Sequence, residues 1–320
     1  MTDRSARGWL LHPMLLVLWL GSFQLARLLE HAPHASLWFP PAAVTFAGIL
    51  VAGWRALPAI ALACALATYW TELAVSASVR TDVLLASSLA FAAVHAGAYG
   101  LPAALLRAAA GRTAPDVSLR SVAGFLLAAA LAAGLAAAGG ALALRATGLL
   151  EAGPPLLPLI AAWWIGDYAA LLTLAPLAIA LLVRTVGEGA AHPVAGFEPL
   201  AFGRPRTGAR TLAKLALLLG VTAAILAAYL AGAGQVLLAM LVLPVVLQLW
   251  IVHTEDRGVA LAAMVAFALL TVGIAAAFPA GDDALILQFS AISLAANTYL
   301  NLAVPSLYAD NARLREQYEN

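Results

Sequence analysis

Ten apolar segments, separated by short polar stretches, follow one another along the 320 residues of this chain. Crossing a bilayer takes a helix of about 20 predominantly apolar residues, and most segments are close to that length. They cover residues 9–29, 37–52, 57–75, 83–106, 122–144, 156–183, 212–230, 236–252, 259–278 and 284–308. The pattern predicts an all-α, polytopic transmembrane helix bundle of about ten spans. Because the second and eighth segments are short, eight spans with one re-entrant hairpin is the alternative.

The composition points to the same class of protein. Hydrophobic residues make up 63% of the chain and charged residues 10%, whereas a soluble domain has about 25% charged residues. The net charge of +1 gives no reason to expect nucleic acid as a partner. The apolar composition predicts that membrane lipid surrounds the protein. Cys64 is the single cysteine, which excludes an internal disulfide and a multi-cysteine metal site. No metal site is predicted, and the sequence identifies no cofactor.

The basic residues predict how the spans are oriented. With ten spans and a cytoplasmic N-terminus, 14 basic residues fall on the cytoplasmic side and three on the other side. The cytoplasmic set is Arg4, Arg7, Arg55, Arg107, Arg112, Arg120, Arg184, Arg204, Arg206, Arg210, Lys214, Arg257, Arg313 and Arg315, and the other set is Arg27, Arg80 and Arg145. Since cytoplasmic loops carry an excess of lysine and arginine, both termini are predicted to be cytoplasmic.

Two features of the apolar segments bear on how the helices pack. The fifth segment is rich in alanine and glycine, notably over residues 128–140. Small residues let helix backbones approach closely, so this span is predicted to be central to the bundle. The hairpins at 40–66 and 244–270 are also alike, since each has a proline in its entering helix and a basic turn. An old duplication and a chance likeness between Ala/Leu-rich helices both explain this.

Asp167 is the most unusual residue within the apolar segments. It lies in the motif Trp163-Trp164-Ile165-Gly166-Asp167-Tyr168, where a charged carboxylate costs roughly 2.5–3.5 kcal/mol at a helix centre. No basic residue lies clearly within the spans, so a hydrogen-bonded or protonated carboxyl is expected rather than an ion pair. Asp167 is either a buried polar anchor or part of a ligand, ion or proton site. Trp163, Trp164 and Tyr168 are candidate members of that site.

Glu72 and His95 are the other ionisable candidates within the spans. Glu72 lies near the outer end of the third segment, and His95 lies near the middle of the fourth. The purely structural interpretation of His95 is a neutral, hydrogen-bonded histidine between neighbouring helices. Phe91, His95 and Tyr99 recur at every fourth position, so they share one helical face. That spacing predicts a polar pocket lined by aromatic rings.

The outer ends of the first two segments carry further polar and aromatic residues. Arg27 and Glu30 are interpreted as side chains that reach the interface from a helix end. Trp38-Phe39-Pro40-Pro41 opens the second segment, where proline suits the first turn of a helix and tryptophan suits the membrane interface. Trp38, Pro40 and Pro41 are therefore expected to anchor the span or to form a rigid lip on the side of Asp167.

The C-terminal end carries a heptad pattern. Its alternating steps of four and three residues run through Leu300, Val304, Leu307, Asn311, Leu314 and Tyr318. Such a seam predicts a homodimer through a parallel coiled coil, in which Asn311 at an a position fixes the register. Pro305 is expected to kink the helix as it leaves the membrane. The predicted division is therefore a transmembrane domain over 1–305 and the start of a cytoplasmic signalling helix over 306–320.

The motifs at 38–41 and 163–167, with Leu174-Ala175-Pro176 and the Leu-Pro-x-x-Leu-x-x-Trp stretch at 243–250, resemble the MASE1 family over nearly the whole chain. The family comprises bacterial membrane-associated sensor domains with about eight spans. The resemblance implies an inner-membrane, non-enzymatic input module for two-component or cyclic-di-GMP signalling. Its output would be a diguanylate cyclase, phosphodiesterase or histidine kinase, in cis or in trans, and a membrane-protein partner is a further option. No Gly-Gly-Asp-Glu-Phe, Glu-Ala-Leu or kinase motif occurs, so a trimmed module and a stand-alone relative are both expected forms.

Two other classes of function compete with a sensor. A small-solute transporter or ion channel would use Asp167, Glu72 and His95 as its pathway. Paired helices broken by glycine or proline, which mark inverted-repeat transporters, are not evident. A membrane enzyme is disfavoured because the sequence shows no Ser/His/Asp set, HExxH motif or metal-ligand cluster. The ligand itself is not identified by the sequence.

Overall fold

A computed structural model of the chain describes residues 8–32, 35–75, 80–110, 117–150, 153, 155–186, 208–234, 236–277 and 283–319. Every predicted apolar segment contains a helix. The α-helices are α1 (Leu11–Leu28), α2 (Pro40–Ala52), α3 (Leu57–Val75), α4 (Thr81–Ala110), α5 (Leu119–Ala146), α6 (Leu157–Val186), α7 (Ala209–Ala228), α8 (Val236–Ala239), α9 (Val242–Thr254), α10 (Arg257–Ala277) and α11 (Ala284–Glu319). Most of the residues between the predicted segments 156–183 and 212–230 lie outside the described residues.

Among the described residues, nine helical stretches are long and apolar enough to cross a bilayer. The polytopic helix bundle is therefore confirmed, with a number of spans between the predicted ten and the alternative eight. The count is one fewer than ten because α2 and α3 join into one apolar stretch, Pro40–Ala74. Phe39 before α2 and Glu72 near the end of α3 nevertheless line the same cavity, so α2 and α3 run in opposite directions as a hairpin, as the two separate segments predict. By itself α2 has 13 residues, or about 20 Å of helix, which is shorter than the roughly 30 Å hydrocarbon core.

A small antiparallel ribbon connects α1 to α2, which the all-α prediction did not include. Its strands are β1 (Glu30–Ala32) and β2 (Ala35–Ser36). The backbone N–H of Leu37 then donates to the carbonyl of Leu29 at 2.9 Å, and Ser36 Oγ donates to the carbonyl of Ala26 at 2.8 Å. These bonds satisfy polar groups of the irregular segment that leads into α2. Strands of two or three residues are too short to produce a period in the sequence.

The described residues divide into two compact units. The first contains α1 to α4, α5 from Ala128 onward, and α6. The second contains α5 up to Leu127 and α7 to α11. Residues from α5 therefore contribute to both units.

In the first unit, α2 is the central helix. All of its residues are buried, and it packs against α1 and α6, as a helix that is apolar on every side must. Its last carbonyls, from Ile49 and Leu50, each accept a hydrogen bond from Arg107 Nη1 of α4 at 3.2 Å. A cation at a helix C-terminus satisfies unpaired carbonyls and complements the helix dipole. Gly53 then ends the helix with a positive φ of 64°.

Neighbouring helices approach the glycine-rich α5 closely, although α2, and not α5 as predicted, is the central helix of the first unit. A Cβ atom on Gly140 would lie 2.3 Å from Cζ3 of Trp163, and one on Gly139 would lie 2.7 Å from Cγ1 of Val94. Both distances are too short for non-bonded carbon atoms. These glycines therefore let α4 and α6 approach the backbone of α5, as small residues do in membrane bundles.

The second unit has its own core where α7, α9 and α10 meet. Its buried members are Leu218, Ile251, Val252, Val259, Ala260 and Ala263. Gln248 of α9 is fully buried, and its Nε2 donates to the carbonyl of Ala260 at 2.7 Å. In this unit α7 packs on α9 and α10, and in the first unit α1 packs on α2 and α3. Both α9 and α2 have 13 residues, and the duplication of the two hairpins stays a hypothesis beside chance likeness.

In the second unit, an ion pair joins the beginning of α7 to the end of α9. Lys214 Nζ donates to Glu255 Oε1, and Thr211 Oγ1 donates to Glu255 Oε2 at 2.7 Å. The hydrogen bond from Lys214, aided by that from Thr211, lowers the pKa of the Glu255 carboxyl below its usual value. The ion pair therefore stabilises this end at neutral pH, and its contribution falls as acid protonates Glu255.

The C-terminal helix α11 is continuous from Ala284 to Glu319. It runs through Pro305, so the predicted boundary between 305 and 306 falls within one helix. Of the predicted seam, Leu300 and Leu307 are each 39% exposed, Asn311 is exposed and Val304 is half-buried. The side chains of Leu314 and Tyr318 lie outside the described part of the structure. The coiled-coil dimer stays a prediction.

Candidate functional site

A cavity of about 180 Å³ lies within the first unit. Its wall comes from the second halves of α1, α3 and α5, the middle of α4 and the first half of α6, together with Phe39 and the ribbon. The cavity therefore occupies the end of the unit at which α1, α3 and α5 end and α6 begins. One ordered water needs roughly 10–15 Å³, so there is room for a small ligand or for several waters.

Asp167 of α6 is the buried carboxylate of this cavity. It is 7% exposed, and its Oδ2 accepts a hydrogen bond from the hydroxyl of Tyr99 on α4 at 2.5 Å. Its Oδ1 has no hydrogen-bond donor among the described residues. Neither ion pair of the described residues includes Asp167. Of the predicted hydrogen-bonded or protonated carboxyl, the hydrogen bond in place of an ion pair is thus confirmed, with Tyr99 as the donor.

His95 joins three helices. The indole Nε1 of Trp19 on α1 donates to His95 Nε2 at 3.2 Å and to Thr45 Oγ1 of α2 at 3.1 Å. Thr45 Oγ1 also lies 2.7 Å from His95 Nε2. Since Nε2 accepts the indole proton, we assign the ring proton to Nδ1 of a neutral imidazole. This arrangement agrees with the structural interpretation of His95 as a hydrogen-bonded histidine between helices.

Aromatic rings form most of the remaining wall. Phe91 and Trp163 have ring centroids 6.3 Å apart, Trp19 and Phe23 are stacked at 5.5 Å, and Phe39 meets His95 edge to face at 6.1 Å. The rings of His95 and Tyr99 are 4.6 Å apart. Phe91, His95 and Tyr99 all line the cavity, as their spacing along α4 predicts.

Charged residues gather where the cavity meets the ends of α1 and α3. Glu72, Arg27 and Glu30 all line it; Glu72 is half-buried and the other two are exposed. Arg27 and Glu30 thus line the cavity. Their interpretation from the sequence, as side chains that reach the membrane interface, did not include the cavity. A sequence signal was present, because Trp19, Phe23 and Arg27 recur at every fourth position and so share one face of α1.

Several predicted site residues do not line the cavity. Trp38 is 1% exposed, and its Nε1 donates to Thr173 Oγ1 of α6 at 3.0 Å. Pro40 and Pro41 are buried in the first turn of α2. Trp38 is therefore packed inside the protein and not at an exposed interface, which corrects its interpretation as an interfacial anchor, whereas the predicted helix start at Pro40 and Pro41 is confirmed. The rigid lip on the side of Asp167 stays a prediction. Of that motif, Phe39 reaches the cavity.

The aromatic neighbours of Asp167 point in different directions around α6. Trp163 lines the cavity, whereas Trp164 is 43% exposed and donates to the carbonyl of Ala130 at 3.0 Å. Tyr168 is half-buried and is not part of the cavity wall. The structure thus brings Glu72, His95, Trp163 and Asp167 together. It separates Trp164 and Tyr168 from them.

The wall also contains polar groups that the sequence did not single out. Thr71 Oγ1 and Trp163 Nε1 are buried without a hydrogen-bond partner in the described structure. Cys64 and Thr68 of α3 line the cavity as well. No group of three or more His, Cys, Asp or Glu residues in the described part of the chain is placed to hold a metal ion.

The family model MASE1 matches residues 9–307 of the chain. The match runs from the residues before α1 into α11, so it spans both units. No match was found among curated proteins or among solved structures.

Proposed function

The chain belongs to the MASE1 family of membrane-associated sensor domains, and from that premise we propose that the cavity around Asp167 is its ligand-binding site. The family and the nine candidate spans make the chain a multi-pass membrane protein with a sensory role. The observation that carries the proposal is that only one oxygen of the Asp167 carboxylate accepts a hydrogen bond from a described residue. Asp167 is buried and lines the cavity, Tyr99 donates to its Oδ2, and no described residue donates to its Oδ1, so the carboxylate can accept a further hydrogen bond from a ligand.

The orientation favours a signal from outside the cell. With the N-terminus cytoplasmic, as the basic residues predict, α1 and α3 end on the outer side of the bacterial inner membrane. The cavity then faces that side, and the C-terminal end of α11 faces the cytoplasm. A ligand at Asp167 would be read by a cytoplasmic output module of the diguanylate cyclase, phosphodiesterase or histidine kinase type.

The helix α5 offers a route for the signal. In the first unit, Ala136 and Gly140 of α5 line the cavity. In the second unit, Phe125 of the same helix packs on Tyr299 of α11 with ring centroids 5.3 Å apart. Because packed helices shift as rigid elements, a ligand that displaces α5 at Gly140 would move Phe125 and with it α11. A shift or rotation of α11 would then change how two output modules pair.

Replacing Asp167 with asparagine tests the proposal. In a chimera that joins the chain to a reporter diguanylate cyclase, Asp167→Asn should change the output by about fivefold or more, the range of a typical coupling between sites. The amide keeps the size of the side chain and removes the carboxylate. Output is measured as cyclic di-GMP, with membrane levels determined by immunoblot.

The control for this variant is Asp82→Asn. Asp82 is an exposed carboxylate of α4 that pairs with Arg80 and does not line the cavity. Its replacement should leave the output unchanged. Normal output from Asp167→Asn, together with loss of folded protein in Asp167→Leu, would make Asp167 a structural anchor and would contradict the proposal.

Dimerisation through α11 is the second testable part of the mechanism. In a Cys64→Ser background, Leu307→Cys and Leu314→Cys should each give disulfide-linked dimers in oxidised membranes, because parallel a and d positions meet across a coiled-coil axis. Ala309→Cys, at the outward f position of the same heptad, should give much less. Absence of dimer bands at both 307 and 314 would rule out the parallel seam.

A further inference from the structure

We propose that the ligand of the Asp167 cavity is a small organic cation with an ammonium group and a nearby oxygen. This inference rests on the proposed sensory function, since it names the class of ligand for the same site. Three features of the cavity carry it: the charge of its wall, the aromatic rings and the unpaired polar atoms.

The charge of the wall favours a cation. Three carboxyl groups line the cavity, those of Asp167, Glu72 and Glu30, against the single guanidinium of Arg27. Asp167 is the most buried of the three and accepts a hydrogen bond from the neutral hydroxyl of Tyr99. A buried carboxylate is stabilised by an opposite charge within a few ångströms, and a cationic ligand supplies one. An anionic ligand would meet repulsion from the same groups.

The aromatic wall favours an organic cation over a metal ion. The faces of Trp, Phe and Tyr rings attract an ammonium group within about 6 Å of the ring centroid. Trp19, Phe23, Phe39, Phe91 and Trp163 all line the cavity. Hard metal cations instead require several oxygen ligands, and in the described structure no three carboxyl, histidine or cysteine groups are placed to bind one.

The unpaired polar atoms point to an oxygen on the ligand. Trp163 Nε1 is a donor, and Thr71 Oγ1 both donates and accepts; the described structure gives neither atom a partner. A neutral apolar ligand would leave both atoms and Asp167 Oδ1 without bonds. In a compound with a hydroxyl or carbonyl a few bonds from its ammonium group, the ammonium group can pair with the Asp167 carboxylate while the oxygen forms a hydrogen bond with Trp163 Nε1 or Thr71 Oγ1.

The test compares choline with 3,3-dimethylbutan-1-ol, in which carbon replaces the charged nitrogen. The purified full chain in lipid nanodiscs is titrated with each compound while tryptophan fluorescence and the thermal unfolding temperature are followed. Choline should give a saturable change in both signals, because Trp19 and Trp163 lie in the wall. The neutral isostere should give none at the same concentrations. Tetramethylammonium and ethanolamine extend the series of cations.

Variants locate the binding. Asp167→Asn should weaken choline binding by about tenfold or more, as loss of a buried charge partner does, and Trp163→Leu should weaken it through loss of the ring. Asp82→Asn should bind as the unmodified chain does. If Asp167→Asn fails to fold, Glu72→Gln gives the same comparison from the edge of the cavity.

The outcomes separate the ligand class from the sensory function. Equal effects of choline and its neutral isostere, or no saturable effect of any of the three cations, would overturn the cation site. In that case a changed output from the Asp167→Asn chimera would still support a sensor with another ligand. Selective choline binding that Asp167→Asn weakens would support the cation site even if the chimera gave normal output.

Discussion

Replacing Gly140 with alanine should lower the stability of the protein, whereas the same replacement at Gly97 should not. A Cβ atom at 140 would lie 2.3 Å from Cζ3 of Trp163, so the indole ring or helix α5 must move. Overpacking of this kind costs about 1–3 kcal/mol. We expect a lower unfolding temperature and a smaller response to any cavity ligand, because Trp163 forms part of the wall. Thermal unfolding of the purified protein measures the first effect.

Gly97 is the matched control for this substitution. It lies inside α4, and a Cβ atom there would meet nothing within 4 Å. Alanine in a helix interior is favoured over glycine by roughly 0.5–1 kcal/mol, so Gly97→Ala should leave the stability unchanged or raise it. Adding Trp163→Leu to Gly140→Ala should restore part of the loss, since it removes the ring that the new methyl group meets. Equal behaviour of the two alanine variants would contradict the close packing of α5 on Trp163.

Replacing Tyr99 with phenylalanine should destabilise the protein because it leaves Asp167 with no hydrogen-bond donor among the described residues. A buried polar group that loses its partner costs about 1–3 kcal/mol. The double variant Tyr99→Phe/Asp167→Leu should lose less stability than the sum of the single variants, because it removes donor and acceptor together. The difference for residues in contact is about 0.5–3 kcal/mol. Unfolding of the four proteins in one detergent gives the cycle.

The second unit contains a matched pair for this experiment. The hydroxyl of Tyr229 donates to Asp283 Oδ2 at 2.5 Å, the same bond as that between Tyr99 and Asp167. Tyr229 is half-buried, so water can replace its hydroxyl. Tyr229→Phe should therefore cost less than Tyr99→Phe. Additive losses in the Tyr99/Asp167 cycle would show that the two side chains are not coupled.

The sequence alone determined the class of protein and much of its local structure. Long apolar runs bounded by polar residues predicted a helix for each segment, since a lipid-exposed backbone must satisfy its own hydrogen bonds. Prolines at 40 and 41 predicted where α2 begins, and the glycines of α5 predicted close packing. The lack of basic residues within the spans predicted a hydrogen-bonded Asp167, because no charge was there to pair with it.

The tertiary structure decided which residues meet. Tyr99 is separated from Asp167 by 68 positions in the chain, and Thr45 joins Trp19 and His95 from a helix that has no polar face. Trp38 turns toward Thr173 rather than toward the interface, which the motif did not indicate. In a soluble helix the polar face tells which side is buried. In a membrane the surfaces that face lipid and those that face protein are both apolar, so the sequence predicts the helices, and packing alone decides which of their faces enclose the cavity.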